Sequence, residues 1–397
     1  MARHKKSGKR ATGIQAKSGF LYIVVSKTSV KDGKKVTEKK WHATGLADTP
    51  DNVKKASESR ARLVGGRKNL TIDKNILLTD YIDHVMERKK REVSDTTYAS
   101  YIYRTNRIKA YYGDLKVKEL RESLVEEFLD DLFEKYDVQP RTVKDIKILL
   151  EYIMDQAFRD GLIIYNPVKE VCINKSLAAK HAKVKNLDDE FFSYEEAGVF
   201  LDKVRDHELY ELFYITLFFG LRREEVLGLK WSAIDFKKAV MKVNHTVTKG
   251  TTVNRLNSTK TISSERNYPL TDEQIELFKK LKKKEAANRR LCGNGYFDSD
   301  YVFKHVDGSL YYPDYPTKAF NKLLKRIPEL PQAVTFHGLR SSCVSILIHE
   351  GMDVKSIQKW VGHKDINTTL KIYAKVKEKE AKKEISDKMN SIIKLNN

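Results

Sequence analysis

Cysteine is scarce in this chain of 397 residues. The three present, Cys172, Cys292 and Cys343, stand far apart with no Cys-x-x-Cys pair, which excludes a disulfide framework and gives no support to a zinc site. Long apolar runs are missing too, so no membrane span is expected, and the polar, basic N-terminus does not read as a signal peptide. The expectation is a soluble protein of a reducing compartment, the cytoplasm. There is no GxxxxGK[ST] phosphate loop, which argues against ATP-driven chemistry. In "HEGMD", residues 349–353, Asp353 stands where a zinc helix needs its second histidine. The acids Asp188, Asp189 and Glu190 are consecutive, so their side chains diverge and cannot share a metal; they read instead as the cap of the next helix. No spaced carboxylates of the two-metal kind can be assigned, and neither metal nor cofactor is expected.

Acidic residues are also in deficit. Asp and Glu total 54 against 75 Lys and Arg, a formal net charge of +21, and a surplus of that size points to a polyanionic partner. The surplus is uneven: residues 1–70 hold 18 Lys or Arg against 5 acids, so +13 of it lies there. "GFLYIVVSKT" within that segment is too apolar and β-branched for a disordered tail, and a folded nucleic-acid-binding module is expected.

The patterning divides the chain. Residues 1–68 read as three strands and a helix: "FLYIVVSKT", a turn at Asp32-Gly33, the return strand "KVTEKKWHAT", and "DNVKKASESRARLV" behind an Asp51 cap. Residues 72–168 are helical throughout. One apolar face carries Leu78, Ile82, Val85 and Met86, another Leu124, Val125, Phe128, Leu129 and Leu132, and a third Val143, Ile146, Leu149, Leu150 and Ile153. Ser94 opens the helix of Tyr98, Tyr101, Ile102 and Ile108, and Asn166-Pro167 closes the last helix. Residues 169–187 show neither periodicity and read as a linker. Residues 188–379 form a mixed domain, mainly helical with one β excursion near 239–270, and 380–397 a tail helix with an apolar stripe of Ile385, Met389, Ile392 and Ile393.

The chemistry that remains is cationic. "FGLRREEVLGLKW" puts Arg222 at the start of a helix, and "STKTISSERNYPL" puts Lys260 in a short β segment. "FHGLRSSCVSILIHEG" places His337 and Arg340 one turn apart on one face, and "VGHKDINTTLKIYAKV" sets Tyr373 ten positions after His363. Each has a plain structural account. Arg222 could pair with Glu225, Lys260 could be a solvated hairpin lysine, His337 a satisfied cap and Tyr373 a core aromatic. The ordered set outweighs these.

G-L-R-x-x-E, T-K-T-x-x-S-x-R-x-x-P-L, H-G-L-R and V-G-H with a tyrosine ten residues on, in that order, resemble the tyrosine recombinase family, the phage-type integrases. The nearest resemblance is to integrases of bacterial phages and integrative conjugative elements. It implies a multidomain fold: a three-stranded sheet with a helix that binds arm-type DNA, a helical bundle that binds core DNA, and a mixed α+β catalytic domain. It implies a site-specific recombinase that works as a homotetramer on double-stranded DNA through a Holliday junction, integrating or excising a mobile element, with accessory excision or DNA-bending proteins. Under the resemblance Arg222 and Arg340 hold the scissile phosphate, Lys260 protonates the leaving 5′ oxygen, His337 assists proton transfer, His363 hydrogen-bonds the phosphate and Tyr373 attacks phosphorus.

Physical chemistry is consistent with those roles. A phenol with a reference pKa of about 10 needs nearby positive charge to act at neutral pH, and two guanidiniums can clamp a phosphate without metal. A stored phosphotyrosyl bond makes ATP unnecessary. Ser341, where many members have histidine, and Tyr268, where an aliphatic is common, depart from the pattern. Two other readings stand beside this one. A type IB topoisomerase shares the chemistry but lacks the arm-like module, and an inert architectural DNA-binding protein would be expected to have lost one of the six residues.

Overall fold

A computed structural model describes residues 13–31, 34–64, 73–182, 190–256 and 265–392. The chain divides into two compact units, Met1–Lys183 and Val184–Asn397.

The first unit opens with β1 (Ile14–Lys17), β2 (Phe20–Lys31) and β3 (Lys34–Ala47), antiparallel and paired in chain order. The period of two sends Leu21 and Ile23 inward, where Leu21 packs with Ile14 and with Ala56 of α1 (Pro50–Val64). Trp41 stays exposed on the other face, edge-on to Tyr22. Pairing runs to Lys31 opposite Lys34, while the expected turn residues Asp32 and Gly33 lie outside the described residues. The expected cap of α1 is corrected: Thr49 Oγ1 accepts from the Asn52 amide at 3.4 Å, and Asp51 sits in the first turn, where its charge suits the helix dipole.

The bundle follows as α2 (Leu78–Lys90), α3 (Asp95–Tyr112), α4 (Glu122–Glu134) and α5 (Pro140–Arg159). Leu78, Tyr81, Ile82, Val85 and Met86 recur at three- and four-residue spacing and are all buried, as the periodicity requires. Ser94 caps α3 as expected. One reading fails. The last long helix ends at Arg159, ahead of Asn166-Pro167, and the Asn166 side chain instead ties the following loop back to the Glu151 carbonyl and Asp155. The expected linker, residues 169–187, contains the boundary between the two units, and within it α6 (Lys175–His181) is capped by Asn174 and packed on the bundle through Leu177 and Ala178. Seven residues are too few for a visible period.

The second unit starts with α7 (Tyr194–Lys203), capped reciprocally by Ser193 and Glu196. The acid run is therefore not its cap, and Asp188 and Asp189 lie outside the described residues. Next come α8 (Tyr210–Phe219), which buries Leu212, Phe213, Ile215, Leu217 and Phe219 in the main core of this unit, and the short α9 (Arg223–Leu227). The β excursion comprises β4 (Ile234–Asp235), β5 (Val240–Val243), β6 (Thr246–Lys249), β7 (Val253–Leu256) and β8 (Arg266–Pro269). β4, β5 and β8 form one sheet and β6 with β7 a hairpin. Helices α10 (Asp272–Cys292), α11 (Tyr315–Leu324), α12 (Gly338–His349), α13 (Val354–Val361) and α14 (Ile366–Ile392) complete the unit.

A separate small core of Cys343, Val344, Ile348, Ile357, Val361 and Val376 joins α12, α13 and α14. With neither glycine nor proline to interrupt it, α14 runs 27 residues and passes through the boundary expected at residues 379 and 380. Residues 381–391 are exposed, including Ile385 at 61% and Met389 at 47%, so this part of the stripe does not pack on its own unit. No described helix is long and apolar enough to cross a membrane.

Candidate active site

Two glycines create the site. Gly220 ends α8 at φ 59°, where a Cβ would lie 2.6 Å from Val361 Cγ1, and Gly362 ends α13 at φ 68°, where one would lie 2.2 Å from Arg266 Nη1. Neither position accepts a side chain, so two chain reversals approach closely. Arg222 follows the first and His363 the second.

Arg222 stands at the N-cap of α9, with Glu225 one turn on. Glu225 is 2% exposed and accepts from the Arg222 amide at 2.8 Å, from Arg222 Nη1 at 2.7 Å and from Arg266 Nη2 at 2.8 Å. Burial pushes its carboxyl up, but Arg266 and Arg222 outweigh this and hold it below the ordinary range. Arg222 Nη2 donates to the Gly362 carbonyl at 2.9 Å. The plain ion pair between Arg222 and Glu225 therefore exists, and it anchors an arginine whose other contacts reach across the unit.

Arg340, in the first turn of α12, is 2% exposed. Its Nη1 donates to the Gly220 carbonyl at 2.7 Å and its Nε to His363 Nε2 at 3.3 Å, whereas Nη2 is buried with no hydrogen-bond partner among the described residues. Burial, then the Arg222 guanidinium, draws its pKa down to about 10. Three guanidiniums thus surround one carboxylate, an arrangement short of negative charge and with a donor unused. A buried donor left unmade is costly, and an anion entering beside it removes that cost.

His363 is half-buried. Loss of hydration, then Arg340 and Arg222, brings its pKa down to about 3, so the ring is neutral. Its Nδ1 lies 2.9 Å from Thr369 Oγ1. His337 occupies the N-cap of α12 without a side-chain capping bond and is exposed, so it does not share Arg340's inward direction. Partial desolvation and the Arg340 charge keep its imidazole below the ordinary range. Tyr373 is half-buried on α14, packed against the small core of α12 to α14, with Lys377 Nζ 6.0 Å from its ring centre. Among the described residues its hydroxyl makes no hydrogen bond. Lys260 lies outside the described residues. The structure thus gathers Arg222, Arg340 and His363, while Tyr373 sits on α14 against the small core of α12 to α14.

Sequence reasoning assigned no role to three members of this cluster: Glu225 as the hub, Arg266, and Thr369. Glu225 and Arg266 were visible as fixed letters of the quoted motifs, while Thr369 carried only the hint of standing four positions before Tyr373. Tyr268, noted as a departure, is a strut. Its hydroxyl accepts from Arg266 Nε at 2.7 Å and donates to the Trp360 carbonyl at 2.5 Å, with burial pushing its pKa up to about 12.

Residues 191–380 match the model of the phage integrase family, and residues 77–176 that of the phage integrase SAM-like domain. A XerC-like tyrosine recombinase of Caldanaerobacter subterraneus subsp. tengcongensis is 24% identical over 345 residues, 82% of this chain and 86% of that protein. The ICEBs1 integrase of Bacillus subtilis is 24% identical over 363 residues, 84% of this chain and 93% of that protein. Among solved structures, the Tn1549 transposon integrase in complex with a circular intermediate DNA superposes with a TM-score of 0.60 at 19% identity, covering 75% of this chain and 95% of that one. A lambda integrase tetramer bound to a Holliday junction gives a TM-score of 0.58 at 15% identity, covering 91% and 94%. The structural likenesses establish the fold, and the matched models establish the rest: the chain belongs to the phage integrase family and is a tyrosine recombinase.

Proposed function

We propose that Arg222 and Arg340 clamp the scissile phosphate of double-stranded DNA and that Tyr373 attacks it. The phenolic oxygen bonds to phosphorus, the bond to the 5′ oxygen breaks, and Lys260 gives that oxygen its proton. His337, neutral near pH 7, is suited to take the phenolic proton. A 5′-hydroxyl later reverses the sequence and releases the tyrosine, so energy stays in the phosphotyrosyl bond. The unpartnered, buried Nη2 of Arg340 beside Arg222 carries this reading, because preorganised donors aimed at developing phosphate charge are the main requirement of such a transfer.

In this proposal residues 1–68 read arm-type sites, the bundle of residues 72–168 grips core-type sites, and four copies act together, with accessory DNA-bending or excision proteins setting direction. A nicked suicide substrate tests the chemistry. The wild-type chain traps itself covalently on DNA, and Tyr373→Phe binds the same DNA with no adduct. An adduct from that variant means that another tyrosine attacks.

A further inference from the structure

Thr369 is fully buried and has no part in the chemistry proposed above. Its Oγ1 is 2.9 Å from His363 Nδ1, while the opposite ring nitrogen, Nε2, faces Arg340 Nε at 3.3 Å. A guanidinium N–H can only donate, so Nε2 is the acceptor and the single proton of the neutral ring lies on Nδ1. Nδ1–H therefore donates to Thr369 Oγ1. The main chain that carries the ring is tied as well, since the His363 backbone carbonyl accepts from Gln358 Nε2 at 3.0 Å.

Thr369 lies on α14, one helical turn before Tyr373. The group that orients the phosphate-site histidine thus belongs to the same turn of helix that carries the nucleophile. We propose that Thr369 is a positioning residue that fixes the His363 tautomer and links the seating of the Tyr373 turn to the histidine's alignment with Arg340. If the turn shifts by a few tenths of an ångström the hydrogen bond lengthens, the ring loses its preference for Nδ1–H, and Nε2 ceases to be a dedicated acceptor for Arg340. Tyrosine delivery and phosphate-site alignment then change together. The catalytic half of this inference rests on Tyr373 as nucleophile; the tautomer does not.

Histidine ¹⁵N shifts of the full, DNA-free chain, assigned with a His363→Gln variant, read the tautomer directly. His363 shows Nδ1–H with a bare Nε2 in the wild type, and an Nε2–H wild-type ring overturns the proposal whatever the variants do. Thr369→Val removes the oxygen with little change of volume. It is expected to mix the tautomers and slow suicide-substrate cleavage on the order of tenfold, the scale of one lost hydrogen bond, with half-site binding unchanged. Thr369→Ser restores both readouts. A Val variant that keeps the wild-type tautomer, or a Ser variant as slow as Val, reduces Thr369 to a packing residue and sinks the idea. An adduct from Tyr373→Phe would overturn the nucleophile assignment alone and leave the tautomer measurement intact.

Discussion

At the scale of single residues, the site turns on geometry more than on charge. Arg222 spans from Glu225 to the Gly362 carbonyl with two terminal nitrogens set in one plane, a fork that an ammonium cannot reproduce. Arg222→Lys keeps the charge, so DNA affinity should change little, while single-turnover cleavage should fall by about 10²–10³, as for loss of a preorganised donor. Cleavage at the wild-type rate would remove Arg222 from the clamp. Much of this cluster was legible in the sequence, because the motifs are short and local: Arg222 with Glu225, and Arg340, sit where helix starts place them. What could not be read was convergence. Arg266 reaches Glu225, the Gly362 carbonyl reaches Arg222 and Thr369 reaches His363 only in the folded chain, with its reversals at two glycines, and no periodicity carries that information.

At the scale of elements, long amphipathic helices announced themselves and short or capped ones did not. α2 and α5 follow their apolar spacing closely, whereas α6 hides in seven residues whose only strong signal is the Asn174 cap. The boundary expected between catalytic domain and tail falls inside α14 for a related reason: the sequence becomes highly charged near residue 379, but charge does not end a helix and no breaker stands there. The exposed Ile385 and Met389 lie on the outer half of α14. An apolar cavity of about 440 Å³, lined by Leu217, Phe218, Ile346, Leu347, Met352 and Trp360, opens on the same unit, and a second copy's tail is the occupant we expect for it. Deleting residues 380–397 should therefore leave the thermal transition and single half-site binding intact while weakening cooperative assembly and unbalancing cleavage. Loss of the transition would place the stripe in its own core instead.

At the scale of the whole molecule, charge and fold agree about the N-terminal module. Its sheet and helix hold 11 Lys or Arg against 3 acids, part of the basic surplus of residues 1–70, and the ion pair it makes through Lys55 with Glu170 is solvent-exposed and contributes little. Removing residues 1–65 should abolish arm-site binding and leave core-site suicide cleavage in place. The isolated module should bind DNA with a steep salt dependence, since each neutralised phosphate releases counterions; binding that ignores salt would contradict an electrostatic reader. The continuity of α14 has a further, mechanical consequence. Its last firmly buried side chain is Val376, so the helix is gripped near one end. Were the helix to pivot at Val376, Tyr373 would stand on a short arm of ~4.5 Å and Met389 on a long arm of ~20 Å at 1.5 Å per residue. A swing of ~4 Å at the tail reaches the tyrosine as ~1 Å in the opposite sense, and a displacement of ~1 Å is the size that separates a reactive alignment from an idle one. Under the proposed role of Tyr373, a helix pivoting there would work as a reduction gear, turning the coarse motion of a neighbour into the fine adjustment that phosphoryl transfer needs.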